Sequence, residues 1–138
     1  MLAEKERLAT SEETPVWDRE NDRVVWRGIS YPWLVFYLIH VTTKNLIALL
    51  WNDRRNKWDP KEKIRFGTFS LERFYKLVWA LHGISDEAFF EAFDACLAFD
   101  RFLENGEESE RQRVIHRLEN IRRLLHLDEL FERKVVQE

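Results

Sequence analysis

Apolar residues recur every three to four positions over most of the chain after residue 28. This period predicts helices, because it places the apolar side chains on one side of a turn of 3.6 residues. The first helix is predicted from about 31 to 51, after Ser30, which can cap it. The second lies in the segment 68–83, where Ser70 can cap its start and Gly83 suits the left-handed position after its end.

Two more helices follow after short connections. The third spans 86–106 and is apolar on most of its sides, which is typical of a helix that is central or shared with a partner. The fourth begins near Glu107 and can break at Leu127. We find no strand alternation. Because short connections join antiparallel neighbours, we predict an all-α, single-domain bundle of about four helices.

Two regions lack a steady helical period. Residues 1–28 mix charges with two apolar clusters, and Pro15 interrupts any early helix. We therefore predict an irregular N-terminal arm over 1–28 and the helical bundle over 29–138. The connector Asn52–Gly67 contains Pro60 and carries six bases against three acids, a net charge of +3.

The helical phases also predict which side chains form the core. The predicted core residues are Leu34, Leu38, Val41, Phe74, Val78, Leu81, Phe89, Phe93, Leu97, Leu118, Ile121 and Leu125.

The most apolar segment, Ser30–Trp51, is long enough to cross a bilayer, since its 22 residues reach about 33 Å as a helix. Lys44 lies near its centre, however, where a charged side chain costs about 2.5–3.5 kcal/mol. His40 and Thr43 join Lys44 in a polar strip along one side of the helix. We therefore predict a buried core helix with one wet strip and no membrane span.

Composition fits a single folded domain of 138 residues, with 45% hydrophobic and 34% charged residues. The net charge of −3 predicts no general affinity for nucleic acid or anionic lipid. Cys96 is the single cysteine, which excludes an internal disulfide and indicates a reducing compartment. The first fifteen residues are charged and resemble no secretory signal, so we predict a cytoplasmic protein.

No catalytic or metal-binding pattern is recognisable. None of the four histidines has the Glu three positions earlier that a di-iron bundle requires. One cysteine cannot build a structural zinc site, and four isolated glycines supply no phosphate loop. We therefore predict neither cofactor nor metal, and we favour a protein that is not an enzyme.

Charge is polarised along the second half of the chain. Nine acids and one base lie between Asp86 and Glu110, whereas residues 111–123 hold five arginines and one acid. A basic surface with interleaved aromatic rings can bind single-stranded nucleic acid. The candidate residues are Arg54, Arg55, Lys57, Arg111, Arg113 and Arg117. The competing interpretation is that the acidic and basic helices pair with each other inside the molecule.

Arg111 and His116 also have the Arg-x4-His spacing found in HEPN ribonucleases, in which the pair meets across a dimer cleft of helical bundles. In a chain so rich in arginine such a spacing is expected by chance, so no family resemblance follows from it. A dimeric ribonuclease remains an alternative.

The favoured function is a non-enzymatic interaction module, a small regulatory subunit, adaptor or inhibitor that docks onto a larger protein or onto its own copy. Trp17, Trp26 and Trp58 are the predicted partner-binding residues, because they lie in irregular segments and Trp is frequent in interface hot spots. In the competing interpretation, the arm and the connector fold back and bury these rings. A nucleic-acid-associated subunit is the second hypothesis, and a membrane-associated protein is the third.

Overall fold

The computed structural model describes residues 14–53 and 74–131. In this part of the chain, three short strands precede a set of helices. The strands are β1 (Val16–Asp18), β2 (Arg23–Trp26) and β3 (Ile29–Pro32). The helices are α1 (Trp33–Asp53), α2 (described over 74–82), α3 (Asp86–Asn105), α4 (Glu108–Leu124) and α5 (127–131). The predicted class, a mostly helical bundle of about four helices with an irregular N-terminal region, is confirmed.

The strands form an antiparallel meander in the order β1-β2-β3, so the inference that the chain has no strands is wrong for 16–32. Val24 pairs with Trp17 on one side and with Tyr31 on the other. Strands of three and four residues are too short for alternation to stand out. The turn between β2 and β3 places Arg27 and Gly28 at positive φ without an Asn-Gly signal.

The sheet packs onto the helices through its aromatic residues. Val24 and Trp26 are buried in the core. The ring centroid of Trp17 lies 5.2 Å from that of Trp33 and 5.8 Å from that of Phe131. The strands lie on both sides of residue 28, and the predicted division of the chain at that point stays a prediction.

α4 runs antiparallel to α1 and contacts its backbone through two buried arginines. Arg111 donates from Nη1 to the carbonyl of Leu50, and Arg122 donates from Nη1 to the carbonyl of His40 at 2.8 Å. Arg122 also donates to Oγ1 of Thr43 at 2.9 Å. These contacts attach α4 to the side of α1 that carries its polar residues.

The buried side of α1 differs from the predicted one. Its buried residues are Phe36, Ile39, His40, Thr43, Leu46 and Leu50, whereas Leu34 and Leu38 are exposed and Val41 is partly buried. His40 and Thr43 of the predicted wet strip therefore face the protein, because Arg122 donates hydrogen bonds to them. Lys44 is exposed, as predicted.

On α3, too, predicted core residues are not buried: Phe93 and Leu97 are exposed and Phe89 is half-buried. The other predicted core residues are buried: Phe74, Val78, Leu81, Leu118, Ile121 and Leu125. The predicted ends of α3 are confirmed. Ser85 caps it by accepting the backbone N–H of Ala88 at 3.3 Å, and Gly106 ends it with a φ of 69°. The break after α4 lies at His126, whose φ is 51°, one residue before the predicted position.

Candidate docking surface on α2 and α3

Two neighbouring helices expose large apolar side chains. On α2, Tyr75 and Trp79 are 50% and 76% exposed. On α3, Phe90, Phe93 and Leu97 are 67%, 52% and 46% exposed. We call these five residues the aromatic face. Single exposed apolar residues are ordinary, whereas a larger exposed apolar group is a candidate interaction site.

Ring contacts connect the two helices that carry the aromatic face. The ring centroid of Trp79 lies 6.4 Å from that of His82, and the His82 ring meets Phe89 edge-on at 5.0 Å. Phe89 in turn lies 5.8 Å from Phe90 and 6.2 Å from Phe93. The rings therefore form one continuous path from α2 to α3.

The positions of small residues along α3 explain why these rings face outward. The buried side of α3 is formed by Ala88, Ala92, Ala95, Cys96, Ala98, Phe99 and Phe102. Small side chains allow two helices to pack closely, so the alanines mark the side that faces the rest of the bundle. Phe90, Phe93 and Leu97 each lie two positions from one of these alanines, which is about 200° around the helix. They consequently point away from the core.

Acidic residues lie at both ends of the aromatic face. Asp86 and Glu87 are exposed in the first turn of α3, and Asp100 and Glu104 are exposed beyond Leu97. Arg101 is the single base within α3, and it is also exposed. The exposed charge along α3 is thus four acids against one base.

The two remaining acids of α3 face α4 and are paired there. Asp94 accepts from Nε of Arg113 at 2.9 Å and from Nε of Arg117 at 2.7 Å. The hydrogen bond from Arg113 lowers the pKa of Asp94 below its ordinary value, and the bond from Arg117 acts in the same direction against the effect of burial. Glu91 accepts from Arg117 at 3.0 Å and from Nδ2 of Asn120 at 3.2 Å. These two carboxylates stabilise the pairing of α3 with α4.

The predicted partner-binding tryptophans do not lie on the aromatic face. Trp26 is buried in the core with 1% of its surface exposed, so it offers no surface to a partner. Trp17 is half-buried and packs against Trp33 and Phe131. Both positions agree with the competing interpretation, in which the arm folds back onto the bundle. Trp58 lies outside the described residues.

The predicted nucleic-acid-binding residues of α4 are engaged inside the molecule. Arg111 is buried and binds Glu108 as well as the Leu50 carbonyl, so it does not form an exposed pair with His116. Arg113 and Arg117 bind the acids of α3. This arrangement is the predicted alternative of intramolecular pairing. Arg54, Arg55 and Lys57 lie outside the described residues, and nucleic-acid binding stays a prediction.

α1 has an apolar surface of its own. Its exposed residues include Leu34, Tyr37, Leu38, Leu49 and Trp51. A groove of about 410 Å³ lies between α1 and α2, with Thr42 and Lys76 as the polar members of its lining. The segment Trp33–Trp51 is long and apolar enough to span a membrane by length and composition, and 33% of it is buried inside the protein. Core helices of soluble proteins meet the same criterion, so the absence of a span stays a prediction.

Two further candidates for chemistry in the described part of the chain are the Cys96 thiol and groups of metal-binding side chains. Burial raises the pKa of the Cys96 thiol to about 12, so the nucleophilic thiolate is not populated at neutral pH. Within residues 14–53 and 74–131, His, Cys, Asp and Glu form no group of three or more that could hold a metal ion.

The aromatic face differs from the sequence-based prediction, which assigns Phe93 and Leu97 to the core although the third helix is apolar on most of its sides. The alanines at 88, 92, 95 and 98 were the available signal, because their spacing follows one side of a helix. Large rings on the opposite side of such a helix are left for solvent or for another chain.

Comparisons of this chain with protein-family models, with curated proteins and with solved structures found no match.

Proposed function

We propose that this protein is a small, non-enzymatic interaction module that docks onto another protein through the aromatic face. The observation that carries the proposal is the exposure of Trp79, Phe90 and Phe93 on adjacent helices. Trp and other aromatic residues are enriched at the centres of protein interfaces, where truncation costs the most affinity. The carboxylates at the two ends of the face supply the polar border that such interfaces have.

The size of the face suits this function. A fully buried aromatic side chain covers about 150–250 Å², so the exposed fractions of Trp79, Phe90 and Phe93 amount to roughly 400 Å². An interface of ordinary size buries about 800 Å² on each partner. The rings therefore account for about half of one side of such an interface. Removing this area from water corresponds to about 10 kcal/mol at 25 cal/mol per Å², and only the part that exceeds the cost of association appears as affinity.

Site-specific photocrosslinking tests the proposal. A photoreactive amino acid replaces Phe90 in the full chain, which is expressed in its native host, and the crosslinked protein is identified by mass spectrometry. The complex is then rebuilt from the two purified proteins and its affinity is measured. We expect Phe93→Ala to weaken binding by at least tenfold, about 1.4 kcal/mol, with the melting temperature nearly unchanged.

Two controls test whether crosslinking and binding depend on the aromatic face. The same photoreactive residue at Glu119, an exposed position on α4, should not crosslink the protein that Phe90 captures. Leu34→Ala removes an exposed apolar side chain from α1 and should leave the affinity unchanged. The proposal fails if positions 90 and 119 crosslink the same proteins equally, or if the rebuilt complex tolerates Phe93→Ala.

A further inference from the structure

The aromatic face has the spacing of a helix-packing surface. Phe90, Phe93 and Leu97 follow one another at intervals of three and four residues, and Tyr75 and Trp79 are four residues apart on α2. Side chains at these intervals form ridges along a helix, and such ridges pack against the i, i+3, i+4 and i+7 positions of another helix. The run from Phe90 to Leu97 covers about 10 Å, or two helical turns. A helix is therefore the element that fits this face.

The charges at the two ends of the aromatic face indicate which residues should flank the apolar stripe of the partner's helix. Asp86 and Glu87 lie before the stripe, and Asp100 and Glu104 lie after it. Glu91 and Asp94 are already paired with arginines of α4 and present no free charge. Arg101 is the single exposed base of α3, and the exposed Arg27 lines a surface pocket together with Asp86 and Glu87, so the border has a net charge of −2 (four acids, two bases). Complementary potentials favour a partner with bases at these positions.

The same charge argues against two other occupants. A second copy of this chain would bring a second border of net charge −2 against the first, and like charges across an interface oppose association. An anionic lipid surface would also meet this acidic border, whereas membrane-binding helices carry Lys and Arg beside their apolar side.

We infer that the partner presents an amphipathic helix whose apolar stripe is bordered by lysine and arginine, and that this helix packs along α3 over Phe90, Phe93 and Leu97. The inference rests on the proposed docking function and names the partner's chemistry. The rings provide the contact area, and the acids at 86, 87, 100 and 104 select a basic helix and fix its position along α3.

Two designed peptides test this inference with the full-length protein. Each has about 18 residues, enough to form a helix, and each carries the same leucine stripe at helical spacing. One peptide has lysine beside the stripe and the other has glutamate. We expect the lysine peptide to bind at least tenfold more tightly by fluorescence anisotropy, and we expect this difference to shrink as salt is raised.

Variants then assign the binding to the proposed residues. The double variant Phe90→Ala with Phe93→Ala should weaken binding of the lysine peptide at least tenfold. Asp100→Asn with Glu104→Gln should reduce the preference for lysine over glutamate several-fold. Leu34→Ala, on α1, is the matched control and should change neither measurement. All substituted residues are exposed, so the variants should fold like the parent, which circular dichroism verifies.

The possible outcomes separate this inference from the docking proposal. Equal binding of both peptides, lost in Phe90→Ala with Phe93→Ala, overturns the basic partner and retains docking through the aromatic face. The inference is overturned if neither peptide binds, or if the lysine peptide binds equally well after Phe90 and Phe93 are replaced. The crosslinking experiment then decides independently whether the aromatic face docks onto a protein. Self-association that Phe93→Ala abolishes would identify a second copy as the occupant. Binding of phosphatidylserine vesicles that Phe93→Ala abolishes would identify a lipid surface instead.

Discussion

Arg122 is the residue whose replacement tests the packing of α4 on α1 most directly. Its guanidinium is buried and donates to the carbonyl of His40 at 2.8 Å, to Oγ1 of Thr43 at 2.9 Å and to Nδ1 of His40 at 3.0 Å. Because a guanidinium only donates, Nδ1 of His40 accepts, and the proton of this neutral imidazole resides on Nε2. Arg122 also binds the carboxylate of Asp128, which is 61% exposed.

The structure gives the size of the effect. Arg122→Met removes three buried hydrogen bonds with a charged donor, each contributing about 1.5–3 kcal/mol. The contributions are not additive, because the acceptors are themselves connected: the Thr43 hydroxyl donates to the Ile39 carbonyl at 2.7 Å and its oxygen lies 3.2 Å from the His40 carbonyl. We expect a loss of about 3–5 kcal/mol, the range found when one partner of a buried charged contact is removed. Asp128→Asn should cost less than about 1 kcal/mol, because an exposed carboxylate regains water.

Urea unfolding followed by far-ultraviolet circular dichroism measures these losses. Arg123→Met is the matched control, since Arg123 is the next residue and is exposed, and it should change the free energy of unfolding by less than about 0.5 kcal/mol. Arg122→Lys should fall between parent and Arg122→Met, because one ammonium cannot replace the fork of the guanidinium. Unfolding of Arg122→Met within about 1 kcal/mol of the parent would refute the buried contact. Equal losses for Arg122→Met and Asp128→Asn would show that the ion pair, not the contact with α1, stabilises the fold.

Three further predictions concern α1 and α3. Ile39→Ala should lower the free energy of unfolding by about 2–5 kcal/mol, whereas Leu38→Ala, at a half-exposed position, should lower it by about 1 kcal/mol. Urea unfolding measures both losses, and a larger loss for Leu38→Ala would contradict the observed buried side of α1. Because burial raises the pKa of the Cys96 thiol to about 12, thiol reagents should label it only in denaturant, and rapid labelling of the folded protein would contradict its burial. Because the arginines of α4 lower the pKa of Asp94, its contribution to stability is present above 3.8, its ordinary value, and is lost as the pH falls below it. The unfolding curves of parent and Asp94→Asn should therefore differ at neutral pH and converge in acid, and a difference that persists in acid would exclude this pairing as its origin.

The sequence predicted the helices well because their signals are local. Ser85 and Gly106 delimit α3 through side-chain capping and a positive φ, and both properties belong to the residue itself. The same holds for the order of the four main helices in the described residues, which follows from the period of apolar residues. The start of the second helix, predicted after Ser70, lies outside the described residues.

The phase of α1 could not be predicted from its own residues. Along α1 alone, His40 and Thr43 indicate a wet side, and Leu34 and Leu38 indicate a buried one. Arg122 reverses this order from 82 positions away in the chain, because a buried guanidinium makes the polar side of α1 the better contact. Local periodicity contains no information about such a distant donor.

α3 presents a different difficulty, since its apolar residues cover most of its circumference and allow more than one phase. The structure resolves this ambiguity through charge as well as size. Glu91 and Asp94 lie beside the buried alanines and bind arginines of α4, so the side of α3 that carries them cannot also be the solvent side. Packing therefore buries the alanines and pairs the two acids with α4, and it leaves Phe90, Phe93 and Leu97 exposed. Stability and the proposed docking function then reside on opposite sides of one helix, so substitutions on the aromatic face can weaken a partner without unfolding the protein.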